Sequence, residues 1–262
     1  MAKNPKGKKS KKRLMKKPLK KTTITDAEGT ERVITGIPGF DALVEGGFPR
    51  GKLILLSGTP GTCKTIFGLQ FLYNGAKLYG EKGMMVTLEE NVEGLKSQAL
   101  RFGWDFDALE REGLIEFVRL VPGSIKMMSG QELSALAQRK KIKRLVLDSL
   151  SSVAINTPML PIEAGSTIKD INVLRFVYTF ISDLRILDGS FTTLLLSQTQ
   201  GEELSRDSVS EFVCDGLVYI KYASLGGDYS RGLVIRKMRE TAHNEDIHPL
   251  EIGEKGIKIH KM

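Results

Sequence analysis

Residues 58 to 65 read GTPGTCKT and end in a lysine and a hydroxyl: Gly58, Thr59, Pro60, Gly61, Thr62, Cys63, Lys64, Thr65. Glycine, four free positions and then Gly-Lys-Thr is the pattern of a phosphate-binding loop, and Cys63 is its one departure, standing where a glycine is expected. The chemistry of such a loop is electrostatic. Successive backbone N–H groups and the positive end of the following helix, entered through Ile66, surround a polyphosphate. Lys64 would reach the β- and γ-phosphates, and the Thr65 hydroxyl would hold Mg²⁺. Two further positions supply what ATP hydrolysis needs. RLVLDS ends an apolar run in Asp148, where a carboxylate could hold Mg²⁺ through water. TLEEN brings Glu89 and Glu90 to a strand end, where an acid could orient and deprotonate an attacking water. Taken singly, each has an ordinary reading too: a Gly-Pro-Gly turn, an Asp that caps a helix or turn, a solvated acidic helix start.

A phosphate loop works only between a strand and a helix. KLILLS (52–57) reads as a buried strand directly before the loop, and Lys64 to Leu78 as the helix after it. GMMVTLEE (83–90), IEFVRLV (115–121), RLVLDS (144–149) and FTTLLLSQ (191–198) read as further strands. Val92–Phe102 is amphipathic, and 168–187 has apolar residues at helical spacing. Continuous apolar strands separated by helices predict an α/β fold with a mostly parallel sheet flanked by helices on both faces. The last third differs. Residues 215–240 read as two strands joined by a Gly-Gly-Asp turn, a C-terminal antiparallel hairpin, and 256–261 as a final edge strand.

The chain of 262 residues carries a net charge of +8, unevenly placed. Residues 1–21 hold ten lysines, one arginine and no acid, so the remainder is net acidic. Such a like-charge block is expected to be disordered. It is either a solubilising extension or an arm for a polyanion such as nucleic acid. Residues 1–25 are thus expected to be a tail and 26–262 one folded domain. Two distant cysteines and three scattered histidines give no disulfide framework and no zinc or haem spacing. No apolar run is long enough to span a bilayer and no signal sequence is evident, so no membrane partner and a cytoplasmic location are expected.

TGIPGFDALVEGGFPRGKLILLSGTPGTCKT resembles the entry segment of KaiC-like ATPases of the RecA superfamily. VTLEEN, RFGWDFDALEREGLIEF, RLVLDSLSSV, SEFVCDGLVYIKY and VIRKMRETAHNEDIHPLEIGEKGIKI agree in order and spacing, over roughly residues 30–260. The single-domain archaeal relatives are the better likeness. The resemblance implies a RecA-like P-loop core that binds ATP with Mg²⁺ between subunits of a homo-oligomer, usually a hexameric ring. It implies that Glu89 is the catalytic base with Glu90 supporting it. It also implies that Lys237 and Arg239, two apart on a strand and so on one face, reach the neighbouring subunit's ATP beside Thr241 and His243. Without the resemblance, RKMRETAH reads as a solvated basic hairpin. There are two departures. Cys63 and Glu240 each replace a glycine, and a Cβ at 63 is expected to crowd the phosphates or to resist the loop's backbone angles. A thiol at a helix N-terminus beside Lys64 is also expected to be acidified. ATP hydrolysis, a non-hydrolysing nucleotide-dependent scaffold and a DNA-binding recombination or repair accessory are the competing functions. Retention of Glu89, Asp148, Lys237 and Arg239 favours the first. The body lacks the aromatic-basic interleaving of a nucleic-acid groove.

Overall fold

The computed structural model describes residues 23–26, 28–120, 128–155, 168–185, 191–199, 203–223 and 230–261. Residues 1–22 of the expected tail and the Gly-Gly-Asp turn of the hairpin lie outside the described residues, whereas Thr23–Thr25, expected to belong to the disordered tail, form a strand because they pair with Glu31–Val33. Three short strands, β1 (Thr23–Thr25), β2 (Glu31–Val33) and β3 (Phe48–Pro49), form a small antiparallel sheet. Six strands of a second, nine-stranded sheet run parallel: β4 (Leu53–Gly58), β5 (Gly83–Thr87), β6 (Ile115–Arg119), β7 (Arg144–Asp148), β8 (Thr192–Gln198) and β9 (Gly216–Tyr222). The antiparallel strands β10 (Arg231–Met238), β11 (His248–Gly253) and β12 (Gly256–Ile259) extend it in the order β12-β11-β10-β9-β4-β8-β7-β5-β6.

The two faces of the sheet follow from the alternation along each strand. On β4, Ile54 and Leu56 enter one core with Phe67, Phe71 and Leu72 of helix α1 (Lys64–Tyr79). That core also takes Leu95 of α2 (Val92–Leu100) and Phe106 of α3 (Phe106–Arg111). Leu53 and Leu55 enter the other core. There they meet Leu133 of α4 (Gly130–Arg139), Val153 of α5 (Leu150–Ile155) and Ile181 of α6 (Ile168–Leu184). Each such side chain, fully buried, contributes about 1.5–3 kcal/mol. A strand buried on both faces reads as an unbroken apolar run, which is why the parallel strands were visible in the sequence.

The short strands β1–β3 were not anticipated, and β5 and β11 also differ from expectation. The strand after α1 stops at Thr87, so Glu89 and Glu90 lie beyond it in a bend. The Thr87 hydroxyl donates to the Glu90 carbonyl at 2.8 Å, and Asn91 caps α2 by accepting from the Gly94 N–H at 2.6 Å. These local bonds turn the chain where the ladder would otherwise continue. Strand β11 was not anticipated, because Pro249 within it reads as a breaker. The final strand β12 is at the sheet edge, as expected.

Candidate functional site

β4 has β8 on one side and β9 on the other, and the loop after it opens at the carboxyl ends of the parallel strands. In open α/β sheets that crevice is where ligands bind. Gly58 is required there: a Cβ would meet the Ile220 carbonyl oxygen at 2.2 Å. The Gly58 carbonyl in turn accepts the Thr199 N–H at 3.1 Å, which ties the loop to the end of β8. Thr62 closes the loop on itself, its hydroxyl donating to the Thr59 carbonyl at 2.8 Å, while Pro60 is exposed at the tip. Lys64 lies folded back, with Nζ 2.8 Å from the Gly58 carbonyl and 2.9 Å from that of Thr59. Burial holds its pKa below the usual lysine range. Ile66 and Cys63 pack against the core beneath.

Cys63 caps α1 with φ 68° and ψ 25°, a left-handed conformation that favours glycine. The expected conflict between its Cβ and the loop's backbone angles is therefore present. The expected acidification is not. Burial pushes the Cys63 thiol up to about 12, against the opposing pull of Arg231 and Lys64. Loss of water around the thiolate outweighs the helix end.

Three carboxylate positions converge beside the loop. The Thr65 hydroxyl donates to Asp148 Oδ2 at 2.7 Å. Burial raises the Asp148 carboxyl to about 6, and the charges of Glu89 and Glu90 add to the effect. A buried hydroxyl-carboxylate pair whose negative charge lacks a full partner fits a hard cation such as Mg²⁺. Glu89 is held from three sides. Its Oε1 accepts from Ser149 Oγ and, at 2.7 Å, from Ser152 Oγ, and its Oε2 accepts from Gln198 Nε2 at 2.7 Å. Both side chains are exposed; the Glu90 carboxylate takes no part in the hydrogen bonds that hold Glu89, and its charge reaches the site through its effect on Asp148.

Five residues here carried no sequence signal. Ser149, Ser152 and Gln198 orient Glu89. Tyr222 and Arg231 hold the loop, the Tyr222 hydroxyl donating to the Gly61 carbonyl at 3.0 Å and Arg231 Nη2 at 3.3 Å. The Arg231 guanidinium also lies 5.1 Å from the centroid of the Tyr222 ring. Gln198, Tyr222 and Arg231 lie on strands, Ser149 in the turn after β7 and Ser152 on α5, and the fold alone brings them together.

Lys237 and Arg239 are not brought to this site. Gly58 is level with Ile220, whereas Lys237 pairs with Leu217, which is level with Leu55. Further on, the Arg239 N–H donates to the Asp215 carbonyl and the Asp215 N–H to that of Leu53. Arg239 is thus level with the first residue of β4, about five residues or ~17 Å before the phosphate loop. A bulge between Ile235 and Lys237, and the end of β10 at Met238, replace the regular strand expected there. Both cations still turn to one side. Lys237 Nζ donates to the carbonyls of Glu211, Phe212 and Cys214, and Arg239 Nη1 lies 3.2 Å from Asp215 Oδ1. Burial and the adjacent Arg239 lower the Lys237 pKa. Thr241 Oγ1 donates to the Arg239 carbonyl at 3.2 Å, and His243 Nδ1 lies 3.3 Å from the Thr241 carbonyl. Glu240, the second departure, has φ 55° and is left-handed like Cys63.

The sequence profile of the KaiC ATPase family matches residues 33–262. A UPF0273 protein of Thermotoga maritima is 34% identical over 248 residues, covering 88% of this chain and 96% of that protein. The circadian clock protein KaiC3 of Synechocystis is 36% identical, with 89% of this chain covering 46% of that longer protein. Among solved structures, a KaiC-like protein of the archaeon Pyrococcus horikoshii superposes with a TM-score of 0.72. It is 37% identical, and the match covers 88% of this chain and all of that one.

Proposed function

The chain belongs to the KaiC family of ATPases; from that premise we propose that it hydrolyses ATP at sites shared between copies of itself. Family membership supports ATP binding by a RecA-like core. In our reading residues 26–262 are the ATPase domain, the copies form a ring, and six is the number the resemblance implies.

The chain's own residues divide the work. The loop N–H groups from Gly58 to Thr65 and the start of α1 cradle the phosphates. Lys64 leaves the carbonyls of Gly58 and Thr59 for the β- and γ-phosphate oxygens, a better partner for its charge. Thr65 and Asp148 would hold Mg²⁺, which when bound neutralises phosphate charge. Glu89, aimed by Ser149, Ser152 and Gln198, orients water and accepts its proton. Lys237 and Arg239 of a neighbouring copy stabilise the charge that develops on the transferring phosphoryl group, with Thr241 and His243 beside them.

One observation carries the shared-site reading. The phosphate loop and the basic Lys237–Arg239 segment both carry their expected residues, yet lie at opposite ends of one sheet. Within one copy the cations have no ATP to act on. The experiment is release of radiolabelled phosphate from ATP by the purified protein, with Glu89→Gln as control. Release by the wild type, lost in Glu89→Gln while nucleotide still binds, is the expected result. Equal release from both would remove Glu89 from its role. Binding without release in the wild type would favour the nucleotide-dependent scaffold.

A further inference from the structure

Arg32 and Arg144 are the largest fully buried side chains among the described residues. Arg144 is accounted for by the fold: it pairs with Glu81, donates to the carbonyls of Phe71 and Ile34, and lies over the rings of Phe71 and Tyr79. Arg32 serves no helix and no core cluster. From β2 its Nε donates to Asp26 at 2.8 Å, and its Nη2 to Glu45 Oε2 at 2.6 Å and to the Glu240 carbonyl at 2.9 Å. Its Nη1 donates to Thr241 Oγ1 at 2.8 Å, and that same hydroxyl donates to the Arg239 carbonyl. A buried guanidinium is tolerated only when its N–H groups are paired, and here half of the pairing goes to the turn after Arg239.

The rest of that turn is gripped as well. Glu45 Oε2 also accepts the Ala242 N–H at 3.2 Å, Lys52 Nζ pairs with Glu240 Oε1 at 2.9 Å, and the Asn244 N–H donates to the Leu43 carbonyl at 3.2 Å. Glu240 needs such a grip, because its left-handed backbone is one that a non-glycine residue leaves when free to do so. The contacts do nothing for the phosphate loop of the same copy, which lies at the far end of the sheet.

We propose that Arg32, with Glu45, is a positioning residue for the reaction in trans: it sets the Arg239–His243 turn in the shape presented to the neighbouring copy's nucleotide. Turnover at one subunit's loop then depends on an arginine buried in the next. This rests on the shared-site reading. A small displacement of a catalytic cation is enough to slow the reaction about a hundredfold.

The test is sorting by complementation in demonstrably mixed oligomers. Arg32→Lys and the milder Glu45→Gln should each lower the turnover number about ten- to a hundredfold, with nucleotide affinity of the loop unchanged. Mixed with Glu89→Gln, each should regain activity, because an intact Glu89 then faces an intact neighbouring turn. Mixed with Arg239→Ala, neither should, since both parents are defective in the same half of the site. Arg239→Ala mixed with Glu89→Gln is the control, and its failure to rescue would sink the shared-site reading itself. If that control rescues, rescue of Arg32→Lys and Glu45→Gln by Arg239→Ala would overturn the positioning role. So would full activity in both single variants, or loss of rescue in both mixtures together with a fall in thermal stability.

Discussion

The two ends of the nine-stranded sheet are built on different plans. At the carboxyl end, groups from five strands or the turns after them converge on one loop: β4 gives the loop itself, β5 leads to Glu89, β7 ends in Asp148, β8 in Gln198 and β9 in Tyr222. At the other end, the cations come from one strand and the turn after it. Their hydrogen bonds go to backbone carbonyls and Asp215, and the turn is fixed by Arg32, Glu45 and Lys52. The first end can be read as a site without reference to any other molecule. The second, on our proposal, takes part in the chemistry only when it faces a neighbouring copy.

That contrast is broken most severely by removing one residue from each end. Glu89→Gln should lower turnover by about 10²–10⁴, and Arg239→Ala by about 10²–10³, both measured as phosphate release. Nucleotide affinity should survive in both, because the loop amides and Lys64 are untouched. Loss of binding in Arg239→Ala would mean that its end of the sheet serves the fold and not the neighbouring site.

Asp148 sharpens the contrast through stability. Its folded-state pKa of about 6 lies above the ordinary 3.8, mainly through burial, so folding favours the neutral acid. That favourable contribution is complete below about pH 4 and is lost as pH rises through 6. At pH 7.5 the ionised carboxylate therefore weighs against the nucleotide-free fold by about 3 kcal/mol. Asp148→Asn should be more stable than the wild type at pH 7.5 in urea unfolding, with the gain shrinking toward pH 4, while losing Mg²⁺-dependent nucleotide affinity. A variant of equal or lower stability at pH 7.5 would contradict this reading of the site.

Cys63 gives a smaller effect. A left-handed non-glycine residue costs about 1–2 kcal/mol. Cys63→Gly should therefore tighten ATP binding or raise turnover, by about fivefold or more. Because burial pushes the thiol up to about 12, Cys63 should react with a thiol reagent at pH 8 far more slowly than a free cysteine. Rapid labelling, or unchanged affinity and turnover in Cys63→Gly, would show the loop to be unstrained and open. The smallest expected effect is that of deleting residues 1–21. Turnover should be unaffected, while any binding to duplex DNA should weaken and lose part of its salt dependence. An unchanged salt slope would leave the tail as a solubilising extension.

What could be read from the chain alone follows from how local each signal is. The loop, α1 and the parallel strands were legible because a strand buried on both faces and a phosphate loop are each written in contiguous residues. The strands β1–β3, of two or three residues each, are too short to show a period, and β11 is masked by Pro249. The same limit applied at the site. Lys64, Thr65 and Asp148 stand in recognisable contexts, whereas Ser149, Ser152, Gln198, Tyr222 and Arg231 gain their roles from partners 60 to 170 positions away. Glu90, named with Glu89 by adjacency, lies in the same bend after Thr87 and acts on Asp148 through its charge, without joining the hydrogen bonds that hold Glu89.

The central claim, that one copy supplies the loop and Glu89 while the next supplies Lys237 and Arg239, is tested most directly by mixing Glu89→Gln with Arg239→Ala. Phosphate release is followed across mixing ratios, in oligomers shown to contain both variants. Each variant alone should be nearly inactive, and activity should rise to a maximum at intermediate ratios, where a neighbour with an intact Arg239 faces an intact Glu89. Mixed oligomers as inactive as their parents at every ratio would contradict the account.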